Sequence, residues 1–416
     1  MLHRNITFSN SVTFTEKSPV MRYLTRTIIA VSAVSLFTDV ASEMLYPIMP
    51  IYLKSIGFSV LLIGILEGFA EATAGFSKGY FGQLSDRVGK RVPFIQTGYA
   101  MSAISKPMMA LLTAPLWIFG ARFMDRLGKG VRTASRDALL SDEATPETKG
   151  KVFGFHRGMD TLGAAIGPML ALIYLAFYPE NYKMLFILAF IPGVIAVAIT
   201  FLVKESKSTH KPKIEEKKSS NNFFSFLGYW KVAPKSYKTL IPILLLFTLF
   251  NSSDVFLLLK VKAAGFSDVQ MIGVYIFYNL IYAIAALPVG MLADRLGMKK
   301  VLTVGLILFA IAYISMPLAN SIWLFGLVFL IYALYAAATE GVSKAWVTNI
   351  CKKEDTATAI GFFTAFSSVA TLFASVIAGI IWETVSPAAV FILSGTVALV
   401  CVGLILLLKN RFNTLD

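Results

Sequence analysis

Acidic side chains recur at helical spacing inside long apolar stretches of this sequence. Asp39 and Glu43 lie four residues apart, and Glu67 and Glu71 repeat that spacing, so each pair occupies one face of a helix. An ionisable group in hydrocarbon costs at least about 2.5 kcal/mol, so these groups must face a cavity or a partner. Two carboxyl groups held close together in a poorly hydrated cavity do not both ionise readily, and such a pair can take up and release a proton.

Basic side chains are concentrated in the fourth apolar stretch. Steps of three, four and seven residues place the charges of this stretch on one stripe of a helix. The stripe consists of Arg122, Asp125, Arg126, Lys129, Arg132 and Arg136. The next stretch adds His156, Arg157 and Asp160, and the preceding one holds Lys106. The second half of the chain contributes chiefly Asp254, Glu340 and Lys344, so we expect ion coupling in the first half and more neutral contacts in the second.

The elements that must position these groups are segments long enough to cross a bilayer. Hydrophobic residues make up 56% of the chain and charged residues 15%, against roughly 45–50% and about 25% in soluble domains. Apolar segments of about 20 residues predict twelve membrane-spanning helices. These are residues 28–53, 60–83, 92–112, 116–136, 152–177, 183–203, 239–260, 268–292, 301–319, 321–342, 357–382 and 388–408.

Charges outside these helices predict the orientation of the chain. Lys and Arg outnumber Asp and Glu by 38 to 24, and an even number of crossings places most of the excess on the same side as both termini. The opposite side keeps only Lys54, Lys183, Lys260 and Lys262. The positive-inside rule therefore predicts cytoplasmic termini in a multi-pass protein of the plasma (inner) membrane, and the charge indicates no nucleic-acid partner. Residues 1–24 lack the pattern of a removable signal peptide.

A polar, lysine-rich stretch divides the chain. KESKSTHKPKIEEKKSSNN indicates a flexible linker, and the following FFSFLGYWKVAPKSYK indicates a helix on the membrane surface. The predicted organisation is a cytoplasmic N-terminal segment 1–27, a six-helix bundle 28–203, a cytoplasmic linker 204–238, a second six-helix bundle 239–408 and a cytoplasmic tail 409–416.

Two sequence signatures repeat between the halves. GQLSDRVGKR at residues 82–91 matches GMLADRLGMKK at 290–300, and GFS at 57–59 recurs at 265–267. Both repeats are 208 residues apart (82 and 290, 57 and 265). Two matched signatures at one offset indicate a parallel duplication, the arrangement in which two halves rock about a site near the midplane.

At these residues the sequence resembles the major facilitator superfamily, over about residues 28–408. Its G-x-L-[SA]-D-R-x-G loop signature occurs at both repeats. A second signature of the family, G-x8-G-x3-G-P, lies on the fifth predicted helix as Gly154, Gly163, Gly167 and Pro168. The resemblance implies an all-α polytopic fold of twelve transmembrane helices in two pseudo-symmetric six-helix bundles, and secondary transport by alternating access. The second signature is associated with antiporters, although the trailing Gly-Gly is Ala171-Leu172 here.

The resemblance also implies a cytoplasmic latch formed by the repeated loops. Asp86 would bind the start of helix eleven near Thr356, while Arg87 and Arg91 would reach acids at the end of helix four. The candidate latch residues are Gly82, Asp86, Arg87, Arg91, Asp137, Asp142, Gly290, Asp294 and Arg295. The simpler alternative is that Asp86 and Arg87 only anchor a loop.

Together these features predict proton-coupled transport of a small organic solute with anionic groups, such as an organic acid or a carboxylate siderophore. Protons would be the coupling ion, and the candidate carriers are Asp39, Glu43, Glu67, Glu71 and Asp160. The candidate substrate-binding residues are Arg122, Arg126, Arg157, Tyr46, Asp254, Tyr278 and Glu340. Among them, we expect Arg122 to set the charge preference of the cavity.

Other functions fit some of these features. A multidrug/H+ antiporter that exports cationic or lipophilic compounds suits the helix-five signature and the helix-one acids. A lipid scramblase or membrane enzyme finds less support, because the sequence has no nucleophile motif, phosphate loop or zinc spacing. We expect no enzyme activity, no cofactor and no metal, and a monomer whose partners are a small-molecule substrate and membrane lipid.

A few polar residues have equally simple structural interpretations. Arg136, Asp137 and Lys344 lie near predicted helix ends, where their side chains could extend to the membrane surface. His156 is the only histidine in a predicted helix, and it suits a structural hydrogen bond as well as proton transfer. Cys351 and Cys401 have no ligand spacing around them, so we expect neither a disulfide nor a metal site.

Overall fold

A computed structural model describes residues 24–46, 48–58, 60–205 and 223–408 of the 416-residue chain. These residues are almost entirely helical and form no β-strand. The N-terminal segment, the lysine-rich part of the linker and the C-terminal tail lie outside the described residues, as does the side chain of Glu67.

The first half forms six spans, of which the first is broken. Its helices are α1 (Arg26–Glu43), α2 (Met49–Ser55), α3 (Val60–Val88), α4 (Val92–Leu111), α5 (Pro115–Asp142), α6 (Lys149–Phe177) and α7 (Tyr182–Thr200). Because α1 and α2 together make the first predicted span, α3 to α7 correspond to predicted helices two to six.

The second half repeats this arrangement. Its helices are α9 (Lys235–Phe250), α10 (Asp254–Ala263), α11 (Asp268–Leu296), α12 (Met298–Ser315), α13 (Ile322–Asn349), α14 (Thr356–Thr384) and α15 (Pro387–Leu407). The break between α9 and α10 matches the one between α1 and α2: Asn251 stands 208 positions after Glu43. Ser253 caps the start of α10, because its side chain accepts a hydrogen bond from the backbone N–H of Val255.

The segment between the halves differs from the prediction. Residues 223–238 do not form one surface helix. They form a 3-10 turn (Ser225–Gly228) and a single turn of α-helix, α8 (Tyr229–Val232), before α9 begins at Lys235.

Eight of the described helical segments are long and apolar enough to cross a membrane. They include the six spans of the second half together with α6 and α7. Helix α5 is amphipathic instead, because it carries the charged stripe. Arg122, Arg132 and Arg136 of this stripe are buried inside the protein, where the spans around α5 separate them from lipid.

The two halves meet along two pairs of helices, α3 with α14 and α6 with α11. Glycine permits these contacts: a Cβ atom on Gly82 would lie 2.5 Å from the carbonyl oxygen of Ala357, and one on Gly150 would lie 2.4 Å from that of Gly290. The contacts between α3 and α14 extend from the end of the protein that carries the repeated signatures (82–91 and 290–300) as far as Gly75 on α3. We call this end the latch end and the opposite end the far end.

Candidate functional site: a charged cavity between the halves

A cavity of about 660 Å³ lies between the two halves, on the far side of these contacts. Its wall holds charges of both signs together with several tyrosines. The acids are Asp39, Glu43, Glu71, Asp160, Asp254 and Glu340, and the bases are Lys78, Lys129, Arg132, Arg136, Arg157 and Lys344. Both halves therefore contribute, as expected for a site that alternating access would expose.

Asp39 on α1 lies beside Asp160 on α6 rather than only beside Glu43. The carboxyl groups of Asp39 and Asp160 are within hydrogen-bonding reach of each other. Two carboxyl groups can share a hydrogen bond only when one of them carries a proton. A proton held between these two carboxyl groups would therefore be shared by two helices, and Glu43 contributes a third acid nearby.

The close contact between α1 and α6 has a simple cause in the sequence. A Cβ atom on Gly163 would lie 2.4 Å from the carbonyl oxygen of Leu36, and one on Gly167 would lie 2.7 Å from the backbone nitrogen of Met44. Gly154, in contrast, faces the other half: a Cβ atom on Gly154 would lie 2.4 Å from the carbonyl oxygen of Ala286. The helix-five signature thus packs α6 on two sides, and Pro168 is buried within the same helix.

Arg157 connects the acid pair to the second half. Its guanidinium forms an ion pair with Asp160 at 2.5 Å and another with Glu340 on α13. It also donates to the hydroxyl of Tyr282 on α11 at 2.8 Å. In this conformation the guanidinium is therefore held by groups of the protein, and an anionic ligand would have to compete with Asp160 or Glu340 for it.

Three of the predicted substrate-binding residues lie in a separate, smaller chamber. This chamber of about 210 Å³ lies within the first half and is lined by Arg122, Arg126 and Tyr46. Asp125 lies 3.6 Å from Arg122 and 3.4 Å from Lys106. Arg122 thus faces the chamber and pairs with a neighbour on its own helix, which it shares with Lys106. A wall shared with the main cavity consists of Asp39, Glu43, Glu71, Lys129 and Arg132.

The other predicted residues line the main cavity. Asp254 accepts a 2.6 Å hydrogen bond from the hydroxyl of Tyr332. Tyr278 lies against Tyr332 with ring centroids 5.2 Å apart. Asn251 donates to the hydroxyl of Tyr335 at 3.0 Å. The second half therefore supplies mainly aromatic rings, hydroxyl groups and amides to the cavity, in line with the more neutral contacts expected from its sequence.

Lys78 also lines the cavity, although it is not among the residues predicted from the sequence. Its ammonium group donates to the hydroxyl of Ser368 on α14 at 3.0 Å, across the two halves. The signal that could have identified it is spacing: Lys78 follows Glu71 by two helical turns, so the two share a face of α3.

Arg136, Asp137 and Lys344 do not extend to the membrane surface. Asp137 is fully buried and lies 2.9 Å from Arg136 and 2.7 Å from Lys344 of the other half. The interpretation of these residues as surface-directed is therefore wrong, because α5 and α13 meet where their sequences only suggested helix ends. His156 is buried close to this cluster, and its ring nitrogens have no hydrogen-bond partner among the described residues.

The latch end carries the contact expected for Asp86. Its carboxylate accepts hydrogen bonds from the backbone N–H groups of Ala357 at 3.3 Å and Thr358 at 2.6 Å, and from the Thr358 hydroxyl at 2.6 Å. Arg91 pairs with Asp86 at 2.6 Å and lies 3.6 Å from Asp142 at the end of α5. A carboxylate suits this position because the first turn of a helix carries unpaired N–H groups.

Asp294 makes the corresponding contact in the opposite direction. It accepts hydrogen bonds from the backbone N–H groups of Gly150 at 2.7 Å and Lys151 at 2.9 Å, at the start of α6. Lys149 donates to the carbonyl oxygen of Thr348 at 2.7 Å. Arg87 and Arg295, in contrast, form no ion pair within the part of the chain that the structure describes, and Asp137 pairs elsewhere.

A buried thiol lies beneath this contact. Cys351, in the loop between α13 and α14, is 2% exposed and lies close to Lys149. Burial raises the pKa of the Cys351 thiol to about 12. The thiol is therefore protonated and shielded while the latch end is closed.

Comparison with known proteins identifies the family. The model of the Major Facilitator Superfamily matches residues 31–279 and 265–414. The chain is 34% identical over 394 residues to the uncharacterized MFS-type transporter MJ1317 of Methanocaldococcus jannaschii, covering 93% of this chain and 95% of that protein.

Solved structures of low sequence identity share the fold. The human organic anion transporter MFSD10 superposes with a TM-score of 0.79 at 18% identity, covering 91% of this chain and 99% of that one. The proton:xylose symporter XylE gives a TM-score of 0.69 at 14% identity, covering 90% and 94%. The sequence match along the chain and the shared fold agree: this protein is a multi-pass membrane protein that belongs to the major facilitator superfamily of transporters, not to an enzyme family.

Proposed function

We propose that this transporter moves a small organic solute bearing anionic groups by alternating access, and that protons drive the movement. The observation that carries the proposal is the contact between the carboxyl groups of Asp39 and Asp160 beside Arg157. It combines a proton site with a cation that an anion can approach from the cavity.

The arrangement couples the two ligands through competition. An anionic group that pairs with Arg157 displaces Asp160 from the guanidinium. Asp160 and Asp39 then lose the charge that favours their ionised forms, so they bind a proton more readily. Anion and proton therefore favour each other's binding, and this reciprocal coupling is the one that a symporter needs.

The neighbouring folds support both parts of the proposal. MFSD10 is described as an organic anion transporter and XylE as a proton symporter. The tyrosines of the second half supply rings and hydroxyl groups for the uncharged part of the solute. Organic acids and carboxylate siderophores remain the solute classes that we favour.

The second candidate is multidrug/H+ antiport of cationic or lipophilic compounds. It is favoured by the packing of Gly163 and Gly167 on α1, since α1 carries Asp39 and Glu43. A cationic drug would then compete with protons for these acids instead of favouring their protonation.

Transport in proteoliposomes distinguishes the two candidates. The purified protein is reconstituted with a pH-sensitive dye inside, and organic anions, organic cations and iron-chelating carboxylates are added under an imposed pH gradient. We expect an anion to drive proton flux in its own direction. Proton flux opposite to an added cation, with no response to any anion, would contradict the proposal and support the antiporter.

We also propose that the latch end faces the cytoplasm of a cell bounded by a plasma (inner) membrane, with both termini on that side. The lysine and arginine bias supports this orientation. In intact cells, a membrane-impermeant thiol reagent should label a cysteine introduced by Asn181→Cys at the far end and spare one introduced by Lys300→Cys. The reverse labelling pattern would show the opposite orientation.

A further inference from the structure

Residues 223–232, which we call the linker strap, join the two halves in space as well as in sequence. On the α3 side, Phe223 stacks on Tyr80 with ring centroids 5.1 Å apart, and the hydroxyl of Ser225 donates to Gln83 at 2.5 Å. On the α14 side, Trp230 stacks on Phe362 at 5.8 Å with nearly parallel rings. The strap therefore contacts one helix from each half.

The strap lies where these two helices come closest. A Cβ atom on Gly361 of α14 would lie 2.5 Å from the carbonyl oxygen of Lys78 and 3.2 Å from the Cα of Gly79. Phe226 is fully buried against this crossing, because a Cβ atom on Gly79 would lie 2.5 Å from its ring. Separation of α3 from α14 must therefore disturb the packing of Phe226 or the stacking of Trp230.

The outer surface of the strap is apolar and basic. Phe224, Leu227 and Val232 are exposed large hydrophobic side chains, and Lys231 and Lys235 are exposed beside them. Aromatic and aliphatic groups next to lysines suit the boundary between hydrocarbon and headgroups. Positive charge at that boundary attracts anionic lipids.

We propose that the linker strap and the adjoining start of α9 bind anionic phospholipid headgroups through Lys231 and Lys235, and that this binding stabilises the closed latch end. The lipid-bound strap keeps its aromatic side chains at the crossing of α3 and α14, so the two helices separate less readily. Lipid composition then sets how often the transporter opens at the latch end. This regulation is independent of the identity of the solute.

Distance measurements in vesicles test the proposal without a substrate. Spin labels are attached at Lys90→Cys and Lys352→Cys, on opposite halves of the latch end, after Cys351 and Cys401 are replaced by serine. The protein is compared in phosphatidylcholine vesicles and in vesicles that also contain phosphatidylglycerol. We expect the anionic vesicles to raise the ratio of closed to open forms about fivefold or more. A single lysine–headgroup contact that forms in the closed protein but not in the open one would produce an increase of this size.

Two pairs of substitutions assign the effect to the strap. Lys231→Gln with Lys235→Gln should abolish the lipid response. Lys204→Gln with Lys300→Gln removes the same charge from exposed positions at the latch end outside the strap, and it should preserve the response. A distance distribution independent of lipid in the unsubstituted protein would overturn the proposal. So would an unchanged response in the strap variant, or an equal loss in the matched control.

Discussion

Asp86 and Asp294 hold corresponding positions in the two halves, and each binds the first turn of a helix in the opposite half. Asp86 accepts from the N–H of Thr358 and Asp294 from that of Gly150. These partners are themselves 208 residues apart (150 and 358), as the two acids are (86 and 294). The duplication therefore produced a matched pair of carboxylate–helix contacts, which together close the latch end.

Loss of the charge on Asp86 should open the latch end. Asp86→Asn keeps the shape of the side chain but weakens its interaction with the N-terminus of α14, by about 1 to 2 kcal/mol. It also removes the ion pair with Arg91. Spin-label distances between positions 90 and 352 should shift toward longer values. Asp294→Asn should have the smaller effect, because Asp294 has no ion pair among the described residues.

The matched control for this experiment is Glu354→Gln. Glu354 is an exposed acid close to the start of α14 that forms no hydrogen bond or ion pair among the described residues, so its substitution changes the local charge but removes no such contact. Its distance distribution should equal that of the unsubstituted protein. If Asp86→Asn also leaves the distribution unchanged, Asp86 only anchors its loop.

Cys351 should report opening of the latch end without any introduced label. In a Cys401→Ser background, the high pKa and burial of the Cys351 thiol keep it unreactive toward maleimide at neutral pH. Opening removes the shielding by the first half, so Asp86→Asn should accelerate labelling by roughly 5- to 150-fold. The rate is followed by mass spectrometry, with detergent-denatured protein as the fully reactive reference. Equal rates in the two proteins would show that the latch does not control access to this thiol.

The stability of the buried cluster of Arg136, Asp137 and Lys344 should depend most on its acid, Asp137. Asp137→Asn leaves the cations of Arg136 and Lys344 close together without a counterion, and we expect a loss of about 3 kcal/mol in the free energy of unfolding. Lys344→Gln should cost less, because Asp137 keeps its ion pair with Arg136. Melting temperatures in detergent provide the comparison. Equal losses for the two variants would contradict this account.

The repeated motifs allowed the fold and the latch contact to be predicted from the sequence. The offset of 208 residues showed which segments correspond, and the resemblance to the family implied that Asp86 binds the start of helix eleven, which is α14. These predictions succeed because a glycine and an acid in the last turns of a helix have few structural roles. The twelve spans followed from the length of the apolar segments, with helix ends displaced by up to seven residues (predicted 342, observed Asn349).

Contacts between helices within the cavity were harder to predict. Helical spacing places Asp39 and Glu43 on one face but carries no information about which other helix that face meets. Asp160 proved to be the neighbour of Asp39, because Gly163 and Gly167 bring α6 against α1. Helical spacing likewise does not show which cavity Arg122 faces. Arg122 was expected in the main cavity, but it lies with Asp125 in the smaller chamber within the first half.

The last prediction concerns proton coupling. If Asp39 and Asp160 share the coupling proton, Asp39→Asn should abolish accumulation driven by a pH gradient in proteoliposomes. Exchange of solute down its own gradient should continue, because the substitution leaves Arg157 and its ion pairs with Asp160 and Glu340 unchanged. Asp160→Asn should abolish accumulation as well and also tighten anion binding, because Arg157 then has one competing carboxylate fewer. Glu43→Gln serves as the comparison: it removes an acid from the same face of α1 but outside the carboxyl pair. Full pH-driven accumulation by the Asp39→Asn protein would place the coupling proton elsewhere, with Glu43, Glu67 and Glu71 as the next residues to substitute.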